Sequence, residues 1–149
     1  MTDDEFHQAI GRIRRRHWLH YGAQALLMGG AALAAGPRVA VGTAANPRLA
    51  TWPALLLLGA LVPVVGALLY AVSRSLRPNL RRPYAENLRI YQARILLRDS
   101  LLGLLGLPLL ASYVVTQQAT DLAICGGLLL VLERLTVPSA KTYQRWLLG

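Results

Sequence analysis

A chain of 149 residues in which 54% are hydrophobic, only 15% are charged and the mean hydropathy is +0.39 is too apolar for an ordinary soluble domain and belongs in lipid. Its net charge of +9 does not read as nucleic-acid binding, because the arginines flank apolar runs and no zinc-finger, RRM-like or helix-turn-helix signature accompanies them. A single cysteine, Cys125, excludes an intramolecular C-x-x-C exchange centre, and the usual signatures of nucleotide hydrolysis, zinc proteolysis and serine hydrolysis are missing.

The chain opens with Thr2 and Glu5 in a T-x-x-E capping box, followed by Phe6, Ile10, Ile13 and His17 at helical spacing. This predicts a short amphipathic helix that lies in the membrane interface or runs straight into a first apolar span at 18–36. The start reads as a retained span, not a cleaved signal: Asp3, Asp4 and Glu5 are acidic, and His20, Gln24, Gly22, Gly29 and Gly30 interrupt the apolar run. Gly22, Ala25, Gly29, Ala32 and Gly36 are small residues spaced three-four-three-four. Lipid supplies no hydrophobic push between helices, so small residues that let backbones approach predict a tight helix interface here. Its partner is expected in the second span, with Gly59 and Gly66, in the fourth, with Gly126 and Gly127, or in another subunit.

After a loop at 37–52 whose only bases are Arg38 and Arg48, a second span runs over 53–73, with Pro53 at its start and Pro63 near its middle, freeing the Gly59 carbonyl. The 74–98 segment holds seven arginines. Within it, Pro83 suits a helix start, and Tyr84, Leu88, Tyr91 and Ile95 form an apolar stripe. A shift of 78 residues pairs Phe6 with Tyr84, Ile10 with Leu88, Ile13 with Tyr91 and Arg16 with Arg94, although amphipathic segments match one another easily by chance. The third span, 97–116, carries Pro108, which frees the Leu104 carbonyl. A base-free loop then leads to the fourth span, 119–137, and a tail whose Tyr143, Trp146, Leu147 and Leu148 need apolar cover.

Fourteen of the sixteen basic residues fall in the blocks 12–16, 74–98 and 134–145, which recur after every second apolar stretch. Basic residues are held on the cytoplasmic side of a bilayer. The expectation is therefore an all-α integral protein of the cell inner membrane: one domain over 1–149, four transmembrane helices, both termini cytoplasmic, and amphipathic extensions at the N-terminus and before the third span.

Ionisable residues inside hydrocarbon are functional suspects, and none lies at mid-depth in any span. His17, His20, Arg98, Asp99, Glu133 and Arg134 cluster toward the cytoplasmic ends. An antiparallel hairpin of spans three and four, turning between Gln118 and Ala119, predicts an Arg98–Glu133 or Asp99–Arg134 pair, against the plainer expectation of four headgroup-facing charges. His17 and His20 share a helical face and suggest a metal or b-type haem, but the remaining histidine is His7, so interfacial histidines and no cofactor are expected. Cys125 is expected to pack as a small apolar residue.

The functional expectation is a non-enzymatic accessory or scaffold subunit, or a homo-oligomeric bundle, with a basic cytoplasmic face that meets anionic lipid headgroups or an acidic partner. The alternative is a small oligomeric transporter or channel built on the helices kinked at Pro63 and Pro108.

Overall fold

A computed structural model describes residues 3–39 and 48–148, with side chains over 4–34 and 53–148. The capping box at Thr2 and the loop at 40–47 lie outside the described residues. Among those described, regular structure is helical throughout: α1 (Asp3–Val39), α2 (Arg48–Ser75), α3 (Tyr84–Gly103), a 3-10 turn (Leu104–Gly106), α4 (Leu107–Thr116), α5 (Ala119–Leu135) and α6 (Ala140–Leu148).

The amphipathic start and the first apolar stretch form one helix of 37 residues, about 55 Å at ~1.5 Å per residue. That exceeds a hydrocarbon core of about 30 Å. No breaker stronger than Gly11 separates its amphipathic start from Trp18. α2 starts at Arg48, earlier than the expected Pro53, and accommodates both Pro53 and Pro63 without interruption.

Two helical segments are long and apolar enough to cross a membrane, Pro53–Ser75 and Tyr84–Thr116, and a third if α5 and α6, bent by 69° at their junction, count as one span. α1 does not qualify on apolarity, because His20, Gln24 and the glycines dilute it. The Pro53–Ser75 segment is almost entirely uncovered by protein.

The unit formed by α3, the 3-10 turn and α4 is central and touches α1, α2 and α5. Pro108 creates its break, and the break is satisfied locally. The Leu107 N–H bonds the Leu104 carbonyl that Pro108 cannot reach, and the Cys125 thiol donates to the Gly106 carbonyl at 3.4 Å. Gln117, in the left-handed region at φ 56°, ends α4, and Gln118 caps α5. The hairpin thus turns one residue earlier than expected.

α1 and α3 run side by side in parallel, with Phe6 edge-on to Tyr84 at 6.2 Å between ring centroids. Ile10, Ile13, Tyr91 and Ile95 share a buried cluster with Tyr143 and Trp146 of α6. The segments matched by the 78-residue shift are therefore in lateral register. Their apolar stripes face protein, and α6 finds its cover against them. A second cluster, Ala32, Leu109, Leu110 and Cys125, fills the opposite end of the bundle.

The small-residue face of α1 does not make the expected interface within the chain. Gly22 and Ala25 are exposed, a Cβ added at Gly22 or Gly29 would meet nothing within 4 Å, and the surroundings of Gly36 lie outside the described side chains. Ala32 alone is buried. The larger residues Ile10, Ile13, His17 and Tyr21 decide which face turns inward, because they remove more area from solvent than glycines do. The close approaches occur on the partner helix instead. A Cβ at Gly103 would collide with the Gln24 amide, and one at Gly106 would sit 3.3 Å from Cys125 Sγ and from Met28 Cε.

Candidate functional site

The basic ends of α1, α3 and α5 bring His17, Asp99 and Glu133 together, each buried. His17 arrives by the helical spacing of the α1 inner face, and Asp99 follows Ile95 by four residues on the inner face of α3. The His17 Nδ1 lies 2.6 Å from Asp99 Oδ2, and its Nε2 lies 3.2 Å from the backbone carbonyl of Glu133. A carbonyl only accepts, so Nε2 donates. Asp99 also takes two bonds from Arg98 through Oδ1, from Nε at 3.1 Å and Nη2 at 2.9 Å. Arg98 Nη2 extends further, to the carbonyl of Thr136 at the end of α5.

This arrangement corrects both expected pairs. Arg98 joins its neighbour Asp99, not Glu133, and Asp99 joins His17, not Arg134. Adjacent residues meet because Arg98 is long enough to fold back across the helix surface on its way to Thr136. The Arg134 guanidinium instead lies over the Trp18 ring, 5.5 Å from its centroid, a cation–π contact on the outside of the bundle. The His17 side chain is buried at the centre of the cluster, and its ring ties α1, α3 and α5 together there.

His20 and Gln24 continue the polar line one turn deeper. Gln24 Nε2 lies 3.0 Å from His20 Nε2 and donates to the Asp99 carbonyl at 3.4 Å, and the Ser100 hydroxyl lies 3.2 Å from the same His20 nitrogen. Gly103 leaves the space in which the Gln24 amide sits. The Gln24 Oε1 atom is buried with no partner among the described residues. No group of three or more His, Cys, Asp or Glu side chains among them is placed to hold a metal.

At the other end of the α4–α5 hairpin, Asp121 is buried and accepts a hydrogen bond of 2.6 Å from the Ser112 hydroxyl. It lies in the first turn of α5, where the helix dipole favours a negative charge. Sequence reasoning did not single out this pair. The available signal was the placement of Asp121 three residues after the helix-starting Gln118. Ser112→Ala removes a donor that a buried carboxylate uses, and the expected loss is about 1–3 kcal/mol. The measurement is thermal unfolding in mild detergent, and an unchanged midpoint would mean that Asp121 is held by other groups.

Outside the bundle, the end of α2, the 76–83 linker, α3 and α6 enclose an open groove of about 1020 Å³. Arg74, Arg77, Arg81, Arg94, Arg98 and Arg145 line it, and no carboxylate does among the described residues. Arg94 Nη2 donates to Ser73 Oγ at 3.0 Å, bracing α3 against α2, and the Trp146 indole N–H donates to the Leu76 carbonyl at 3.3 Å, fastening α6 to the linker. The linker is held in turn by Asn87, whose Nδ2 donates to the Asn79 carbonyl at 2.9 Å. The sequence placed these arginines in basic blocks, but their convergence depends on the position of α6.

Comparison with protein-family models, with curated proteins and with solved structures returns no match.

Proposed function

We propose that this chain is a non-enzymatic integral protein of the cell inner membrane. Its four helical passes place both termini and the three basic blocks on the cytoplasmic side, and it acts there as a scaffold or accessory subunit or as a homo-oligomer. The observation that carries this reading over a conducting one is the filling of the broken central span. Gln24 occupies the space at Gly103, and Met28 and Cys125 pack on Gly106, so the segment that a pore would line with water is plugged by side chains. Pro63, the other proline expected to kink its helix, is exposed on the outside of α2, facing away from its own bundle. The uncovered surface of α2 and the Gly22–Ala25 side of α1 leave room for lipid, a second copy or a larger complex.

Two measurements test the reading. Reporter fusions address topology: a C-terminal green fluorescent protein is expected to fluoresce, and alkaline phosphatase inserted at the Gln117–Gln118 turn is expected to be active. The reverse pattern overturns the orientation. Purified protein in proteoliposomes is expected to pass ions and small solutes no faster than empty vesicles do. Flux that disappears in Pro63→Ala or Pro108→Ala would replace the scaffold with the transporter.

A further inference from the structure

We infer that the groove between α2, the linker, α3 and α6 is a binding site for the headgroup of an anionic phospholipid carrying two phosphates. The inference deepens the proposed function and rests on its topology, which puts this groove at the cytoplasmic headgroup level. Four observations lead to it.

The first is uncompensated charge. Of the six lining arginines, Arg98 spends its charge on Asp99, whereas Arg74, Arg77, Arg81, Arg94 and Arg145 have no carboxylate partner among the described residues. Like charges held around one depression repel one another, and their juxtaposition stabilises the fold only when an anion joins them. Guanidinium is also the group that matches phosphate oxygens with parallel N–H donors.

The second is construction. Arg94 is half-buried and held by Ser73, and the far wall is fixed by the Trp146–Leu76 bond, so the groove has braced walls, with the exposed Arg74, Arg77, Arg81 and Arg145 around it. The third is size. At about 1020 Å³ the groove lies at the upper end of the ~300–1,000 Å³ typical of small-ligand sites, which suits a headgroup with two phosphates better than a single phosphate ion.

The fourth is the apolar edge, which selects a lipid over a soluble phosphate. Tyr70, Leu80 and Leu148 line the groove and are each more than two-thirds uncovered, and Tyr70 continues directly into the apolar, uncovered surface of Pro53–Ser75. Acyl chains leaving the groove have that helix to lie along. Basic pockets between transmembrane helices on the cytoplasmic side are the setting in which such lipids are recognised.

The test uses the full chain, delipidated in a neutral detergent, and follows its thermal midpoint during titration with one additive at a time. Diphosphatidylglycerol is expected to raise the midpoint saturably at micromolar levels, and phosphatidylcholine is expected to leave it unchanged. The double variant Arg77→Gln/Arg145→Gln, two exposed positions without hydrogen-bond partners among the described residues, is expected to bind diphosphatidylglycerol at least tenfold more weakly. Arg12→Gln/Arg89→Gln, outside the groove, is expected to bind it as the parent does. Equal weakening in both double variants would reduce the effect to bulk charge and overturn the site. An equal midpoint rise with inorganic phosphate or pyrophosphate would assign the groove to a soluble anion and overturn the lipid. Binding that follows the groove variants while the fusions report inverted topology would retain the site and discard the orientation.

Discussion

Asp99→Leu is expected to destabilise the folded protein by about 3–5 kcal/mol, the cost of removing one partner from a buried ion pair. The carboxyl group is 1% exposed and serves two partners at once, His17 through Oδ2 and Arg98 through Oδ1. The two partners do not respond alike to its removal. The Arg98 side chain is 28% exposed, keeps its bond to Thr136 and turns its remaining donors to water. The His17 side chain is fully covered, and Asp99 is the one partner of its Nδ1 among the described residues, so that nitrogen is left unsatisfied in the core.

Asp99→Asn separates charge from hydrogen bonding. Its amide oxygen accepts from Arg98 and its NH₂ donates to a neutral His17, so every polar atom is satisfied while the charge is gone. The expected order of unfolding midpoints in detergent is parent, then Asp99→Asn, then Asp99→Leu. Combining Asp99→Leu with His17→Leu is expected to cost less than the sum of the two single changes by more than ~0.5 kcal/mol, because the second change removes the group that the first left stranded. Strict additivity would sink the clamp.

That cluster shows where legibility in the sequence ended. The apolar runs, the prolines and the grouping of His17, Arg98, Asp99 and Glu133 at one end of the bundle could all be read from spacing, because helical period and the cost of burying charge act locally. The partners could not. Whether Asp99 meets His17 or Arg134 depends on the rotation of α1 and α5 about their own axes, and that rotation is set by packing over the whole length of each helix. The same reason explains the small-residue face of α1. Its spacing was regular, yet the isoleucines, His17 and Tyr21 beside it bury more area and turned it outward, while the glycines that permit close approach, Gly103 and Gly106, sit in a segment whose prominence came from Pro108. The aromatic stripe of α3 was visible as a stripe, but its cover by α6 depends on the 69° bend after Leu135, which only the 136–139 break permits.

Tyr143→Ala is expected to cost about 3–5 kcal/mol, the range for emptying a large aromatic site in a packed core, and to act on the basic end alone. Tyr143 is 1% exposed and packs edge-on against Tyr91 at 5.0 Å, with Phe6, Tyr84 and Trp146 within about 6 Å between centroids. Those rings join α1, α3 and α6. α6 is nine residues long, too short to persist as an isolated helix in water, so losing its anchor should release it. Limited proteolysis is then expected to remove the segment after Pro138 from the variant and spare it in the parent, while the hairpin held by Ser112 and Asp121 stays protected. Because Arg145 and Trp146 leave with α6, the arginine groove opens at the same time, and the midpoint rise with diphosphatidylglycerol should vanish.

Tyr143→Phe is the control that identifies the ring as the anchor. The hydroxyl is buried with no partner among the described residues, so its loss removes an unsatisfied group and keeps the packing. Burial, with Tyr84 and Tyr91 nearby, also pushes its pKa up to about 12, above the ~10 of an unfolded tyrosine. A folded-state value raised in this way gives stability that is complete below about pH 10 and is lost as pH climbs toward 12, because the unfolded chain ionises first. Tyr143→Phe should therefore remain folded with α6 protected and lose less stability than the parent between those two pH values. Proteolytic release of α6 in Tyr143→Phe would mean that the hydroxyl, not the ring, holds the helix in place.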